Sequence, residues 1–182
     1  MRQAVLAAAA AELTTTGVDH VTIADIAARA GVHETSIYRR WVTKEALLLE
    51  TAQVYTADEI PLPDTGSLRG DLVALVLALD AFLGSPLGGA MLRIASTTST
   101  EDGATARESF WLDRLSSSRV MVERARSRGE LLPTAPVDLL MQALVGSVHM
   151  GATFVRRPFD RNRAEGLVDL LLTGAGVPVD RL

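Results

Sequence analysis

The chain has 182 residues, 48% of them hydrophobic, 4% aromatic and none of them cysteine, with a formal net charge of −4 at pH 7. That length and apolar content support one compact domain, or a small module fused to a larger one. The missing cysteine excludes a disulfide framework, a thiol nucleophile and a thiolate metal site, and the acidic balance excludes wholesale coating of nucleic acid.

The start, MRQAVLAAAAAEL, is a weak apolar run followed by polar TTTGVDH with no clear cleavage site, so it does not read as a signal peptide. The most apolar window, LVALVLALDAFL at 72–83, is too short to span a bilayer and carries Asp80. A soluble cytoplasmic protein is expected.

Helical periodicity dominates and no segment shows strand alternation, so the expected class is all-α with about nine helices. A first helix runs from about Gln3 to Thr15, with Val5, Leu6, Ala9 and Leu13 on one stripe, and Gly17 ends it. Thr22 with Asp25 forms an S/T-x-x-D/E capping signature for a short second helix, which Gly31 breaks. A third helix is expected from Ser36. Thr43 caps a fourth, with Glu45 at its positive end.

The polar, proline-containing stretch 58–66 is a loop and the best module boundary that the residues offer. Residues 68–83 are apolar nearly all round, as in a buried helix. Ser85 and Pro86 read as N-cap and first residue of a helix to about 97. One long amphipathic helix is expected over 104–128, ended by Gly129. Its arginines Arg119, Arg124, Arg126 and Arg128, interleaved with Glu123 and Glu130, read as a solvated face. Pro136 opens a helix to about Val155, whose end Arg156 and Arg157 complement. Asn162 with Glu165 forms a capping pair for a last helix over about 163–173.

Two short helices joined by a tight glycine-containing turn are a helix-turn-helix signature. Ala27 is small where the helices cross, Gly31 sits at the turn, and Val32 and Ile37 point inward. Ile37 and Trp41 are i, i+4 partners on the packing face. The stretch TSIYRRW, 35–41, then leaves arginines and hydroxyls on a projecting surface of major-groove width. Residues 1–50 carry five basic and six acidic groups, yet Arg39, Arg40 and Lys44, the chain's one lysine, cluster within six positions.

The segment TIADIAARAGVHETSIYRRWVTKEALL, 22–48, resembles the DNA-binding domain of the TetR family of bacterial transcriptional regulators. The resemblance implies a three-helix DNA-binding domain over 1–48 and a helical ligand-binding and dimerisation domain over 49–182. It implies phosphate contacts from Thr22, Tyr38, Arg40 and Lys44, which position the protein. It places Glu34, Thr35, Ser36 and Arg39 at base edges, where a bidentate arginine–guanine pair discriminates by about 1–3 kcal/mol. Three departures matter. His33 stands where the family usually has a small polar residue. Thr35 stands where glycine or alanine is frequent. No basic arm precedes the first helix, so either arm contacts are absent or residues precede Met1.

In the larger domain, Leu139, Leu140, Leu167, Leu170 and Leu171 lie on the last two helices, with Ala143, Gly146, Ser147 and Gly151 interspersed on the first of them. Small side chains let helices approach closely, which suits a four-helix homodimer interface. A ligand cavity is expected among Leu79, Phe82, Met91, Ile94, Trp111, Leu115, Met141 and Leu144. Asp80 and His149 are the polar groups on otherwise apolar helices. An apolar effector is preferred.

The expected function is a ligand-responsive regulator, a repressor, that binds a palindromic operator as a homodimer and is released by a small molecule. Its partners are double-stranded DNA, that effector and a second copy, with no membrane, and its place is the nucleoid. The alternative is a helical small-molecule or protein-binding module without DNA-binding activity. No hydrolase, metalloprotease, P-loop or dinucleotide motif is present and His20, His33 and His149 are scattered, so no enzyme, cofactor or metal is expected.

Overall fold

The computed structural model describes residues 1–60, 62–97, 108 and 118–176. Every regular element among them is helical. In chain order these are α1 (Arg2–Thr16), α2 (Ile23–Ala30), α3 (Glu34–Tyr38), α4 (Lys44–Glu59), α5 (Leu68–Gly84) and α6 (Pro86–Thr97). They are followed by α7 (Arg119–Ser127), α8 (Val137–Met150), a π-helical turn (Gly151–Val155) and α9 (Arg161–Gly176). The expected helix over 104–128 lies outside the described residues except for Glu108, which is helical, and the stretch from Ser118 that includes α7.

The chain divides into two compact units, Met1–Glu59 with α6, and Ile60–Gly84 with the described residues from Ser118 onward. The expected boundary after residue 48 therefore falls inside α4, which is continuous. In the first unit α1 packs on α2 and α4, and α6 packs on α1 and α4. Val5, Leu6, Ala9 and Leu13, the expected stripe of α1, are all buried in one core with Ile26, Ile37, Trp41, Leu47 and Leu48. Full burial of one such aliphatic side chain contributes about 1.5–3 kcal/mol.

Local chemistry sets the boundaries of these helices. Thr22 caps α2, its hydroxyl accepting from Asp25 N–H at 3.1 Å. Gly31 closes it in the left-handed region at φ 67°, where a β-carbon would be strained. Thr43 accepts from Ala46 N–H at the start of α4, and Ser85 from Gly88 N–H at the start of α6. Two expectations are corrected. The third helix starts at Glu34 rather than Ser36, with His33 in the cap position. The cap of α9 is Asp160, which accepts from Arg163 N–H at 2.8 Å, and not Asn162.

In the second unit α5 is the central helix and packs on α7, α8 and α9. Its N-terminus is held by distant side chains. Glu130 accepts from Leu68 N–H at 2.6 Å and pairs with Arg128. The fully buried Asp71 accepts from the N–H and hydroxyl of Thr65. Arg128 lies 3.6 Å from the other Asp71 oxygen, and Arg124 donates to the Pro63 carbonyl. Arg124 thus ties the loop before α5 to α7, and Arg128 sits against Asp71 of α5 and Glu130, instead of forming a solvated face. Arg126, paired with Glu123 on the exposed side, fits the expectation. The 19 residues Val137–Val155 are long and apolar enough by composition to cross a membrane. Leu140, Met141, Leu144 and Val148 are nevertheless buried in α8, a helix that packs on α5 and α9.

Candidate nucleic-acid interface

The third helix has only five residues, too few to be stable alone. Its orientation comes from two apolar anchors. Ile37 is fully buried and Trp41 nearly so. Helical hydrogen bonding continues past the helix end, from Arg39 N–H to the Thr35 carbonyl and from Trp41 N–H to the Ile37 carbonyl. That extension keeps the two anchors on one face, as their i, i+4 spacing requires.

With those anchors facing inward, Glu34, Thr35, Tyr38, Arg39 and Arg40 are exposed and Ser36 is half-buried. Arg40 lies over the Trp41 ring, 5.4 Å from its centroid, so its guanidinium is braced while its charge stays in water. Tyr38 is 48% exposed, a body in contact and a hydroxyl in solvent. Glu34 is the acidic residue in the first turn of α3, where the helix dipole favours it.

The two flanking positions are more constrained than expected. The Thr22 hydroxyl donates to the Asp25 carboxylate at 2.6 Å and accepts from Asp25 N–H. Its proton is therefore committed to the capping box, and its lone pairs cannot attract an anion. Lys44 donates from Nζ to the Val21 carbonyl at 3.2 Å, which keeps two of its three N–H donors for another acceptor. Sequence reasoning missed Glu50, which accepts from both Trp41 Nε1 and Arg2 Nε. It lies nine and forty-eight residues from its partners, so no local pattern announces it.

The expected effector-pocket residues lie in several places. Leu79, Phe82, Met141 and Leu144 are buried. Asp80 accepts from Phe159 N–H at 3.1 Å through one carboxylate oxygen and so helps to fix the turn before α9. His149 has Nδ1 2.8 Å from the Val145 carbonyl; a carbonyl only accepts, so the neutral ring carries its proton there. Burial pushes the His149 pKa below its ordinary value. The side chains of Met91 and Ile94, and all of Trp111 and Leu115, fall outside what the structure describes. An open groove of about 400 Å³ in the second unit is lined by Leu68, Arg69, Glu130, Leu132 and Leu172 among others, and by none of the expected pocket residues.

On α8 and α9, which pack on each other, Leu139, Ala143, Gly146, Gly166 and Leu170 are exposed. Ser147, Leu167 and Leu171 are half-buried. Leu140 and Gly151 are corrected: both face the interior, Gly151 with the Phe159 ring 3.3 Å from where its β-carbon would be. Met150 and Phe154 were missed and extend the exposed apolar stripe; Phe154 is 76% exposed. Their i, i+4 spacing from Gly146 was the available signal. Among the described residues no group of three or more acidic or histidine side chains could hold a metal ion.

A three-helix head with a short, polar-faced third helix defines a helix-turn-helix DNA-binding protein. The comparisons name the kind. Residues 5–51 match the family model "Bacterial regulatory proteins, tetR family", and residues 62–171 match "Tetracyclin repressor-like, C-terminal domain". The chain belongs to the TetR family of bacterial transcriptional regulators. It is 37% identical to the HTH-type transcriptional regulator AqdR of Rhodococcus erythropolis, over 95% of this chain and 84% of that one. Its fold is similar to that of the TetR family transcription regulator SCO0332, with a TM-score of 0.84 at 29% identity over 97% and 98% of the two chains. It also shares the fold of FadR from Bacillus subtilis, solved in complex with stearoyl-CoA, with a TM-score of 0.71 at 17% identity over 96% and 99%. The expected all-α class, the DNA-binding head and the role in transcription regulation are thereby established.

Proposed function

We propose that the protein is a repressor that binds a palindromic operator as a homodimer and is released by a small molecule. The observation that carries the DNA-reading part is the division of α3 into an anchored face, Ile37 and Trp41, and an exposed face bearing Glu34, Thr35, Tyr38, Arg39 and Arg40. Arg39 is the base-reading arginine, with Glu34, Thr35 and Ser36 beside it. Tyr38, Arg40 and Lys44 hold phosphates, which fix register without reading sequence. Thr22 contributes through the backbone N–H groups of the α2 start, its hydroxyl being occupied.

A five-residue reading helix covers too few bases for genomic specificity, so two heads on two half-sites are needed. The apolar stripe of Leu139, Ala143, Gly146, Met150 and Phe154 on α8 and the turn after it, with Gly166 and Leu170 on α9, is the surface for the second copy. Buried aliphatic side chains and the low aromatic content favour an apolar effector. An effector that prefers one of two head spacings shifts DNA affinity by a coupling typically of about 1–3 kcal/mol, and DNA shifts effector affinity equally. The protein acts in the cytoplasm, on the nucleoid, and catalyses no reaction.

The test is a mobility-shift assay on the DNA flanking its own gene, with Arg39→Ala and Lys44→Ala as controls. Salt-sensitive retardation that both variants weaken supports this reading. Retardation by neither wild type nor variants supports a helical binding module without DNA-binding activity.

A further inference from the structure

Three elements of the head meet on a single carboxylate. Glu50, in the second turn of α4, accepts from Trp41 Nε1 through Oε2 at 2.5 Å. Its other oxygen accepts from Arg2 Nε, at the start of α1, also at 2.5 Å. Trp41 ends the helical hydrogen bonding that leaves α3 and is 3% exposed.

We propose that Glu50 is a positioning residue for DNA reading, one that sets the angle of α3 by gripping the Trp41 indole. The inference rests on the reading that the outer face of α3 meets DNA. Ile37 and Trp41 hold α3 down by apolar burial, which sets the face that points inward but, being non-directional, sets the exact angle of the helix only loosely. A hydrogen bond is directional, and one to a charged acceptor is the stronger kind. The indole N–H is the polar handle of the buried ring, and Glu50 is its partner. Arg2 occupies the second carboxylate oxygen and ties the same point to α1. At the front of α4, Lys44 bonds the Val21 carbonyl. The first two turns of α4 are thereby bonded to the α1 start, the α1–α2 connection and the end of α3. They belong to the reading head.

The experiment uses the full chain and two duplexes of equal length, one selected by the wild-type protein from a random pool and one left unselected. Glu50→Ala is expected to lower affinity for the selected duplex about tenfold. Affinity for the unselected duplex, carried by phosphate contacts, should change less than about twofold. Glu50→Gln, whose amide oxygen still accepts from the indole, should recover most of the loss. Trp41→Phe keeps an aromatic ring without the N–H and should match Glu50→Ala. Adding Glu50→Ala to Trp41→Phe should then cost nothing further. In an ¹H–¹⁵N spectrum, one of the two indole resonances should move in Glu50→Ala and return toward its place in Glu50→Gln. Should Glu50→Ala not fold, Trp41→Phe carries the test through the ratio of the two affinities, which should fall about tenfold. Equal loss on both duplexes, an additive double variant, or an indole resonance unmoved in Glu50→Ala overturns the proposal. Loss in Arg39→Ala with none in Glu50→Ala overturns the tether alone. Loss in neither overturns the reading of α3 and the tether with it.

Discussion

Lys44 reaches back across the helix-turn-helix to the carbonyl of Val21, 3.2 Å from its Nζ. The chain's one lysine is thus braced against the segment that leads into α2. The bond fixes the ammonium at the front of the head with two donors remaining. A braced charge loses less conformational entropy on meeting a phosphate than a free one does.

Lys44→Ala should therefore weaken selected and unselected duplexes alike. The slope of log affinity against log salt should fall in magnitude by about 0.9, the value for one lost phosphate contact. Stability should fall by about 1 kcal/mol through the missing bond to Val21. Anisotropy titrations at several salt concentrations and a denaturant curve measure the two effects separately. An unchanged salt slope would remove Lys44 from the phosphate contacts.

Thr22→Ala should destabilise the protein by about 1 kcal/mol, because the α2 cap and its bond to Asp25 are lost. Thr22→Ser keeps both hydrogen bonds and should leave the melting temperature near wild type. If the hydroxyl serves α2 rather than a phosphate, the DNA affinity of Thr22→Ala measured well below its melting point should change less than that of Lys44→Ala.

Phe154→Glu and Leu170→Glu should each convert a dimer to a monomer in sedimentation, since both side chains are more than two-thirds exposed on the proposed shared face. Neither replaces a core residue, so circular dichroism should remain helical. Binding to a two-half-site duplex should weaken far more than binding to an unselected one. A dimer that survives both substitutions places the interface elsewhere.

His149 gives a pH dependence of defined sign. Burial lowers its pKa in the folded chain, so between the folded and unfolded values the unfolded chain binds more protons. The stability this contributes is fully present above the unfolded value of about 6.5 and is lost as pH falls through the window toward the lowered folded value. Denaturation midpoints between pH 7.5 and 5 should fall for wild type and fall less for His149→Gln. Parallel curves for the two proteins would contradict this.

Features fixed by neighbours in the chain were legible in the sequence. The α1 stripe, the Gly31 turn, the Ile37–Trp41 face and the Thr43 and Ser85 caps all depend on residues within one or two turns. Misread features depend on distant partners or on near-degenerate choices. Asp160 and Asn162 are both good caps two residues apart, and only the bond to Arg163 N–H separates them. Glu34 and Thr35 look like turn residues, yet they begin α3. Arg124 and Arg128 are periodic surface arginines until Pro63, Asp64 and Asp71 fold against them. The bond from Phe159 N–H to Asp80 has no local signal, because the two are 79 residues apart. Leu139 and Leu140 are adjacent and alike, and a small rotation of α8 decides that one is exposed and the other buried.

The most direct test of the account is selection of duplexes from a random pool by the purified wild-type protein and by Arg39→Ala in parallel. The wild type should enrich a two-fold-symmetric sequence whose half-sites lie one helical turn or a multiple of it apart, about 10–10.5 base pairs per turn. Arg39→Ala should enrich the same spacing with its preference relaxed at one position in each half, a discrimination of about 1–3 kcal/mol lost there. No enrichment by the wild type, a single asymmetric site, or an identical sequence from Arg39→Ala would contradict the claim that paired α3 helices read this protein's operator.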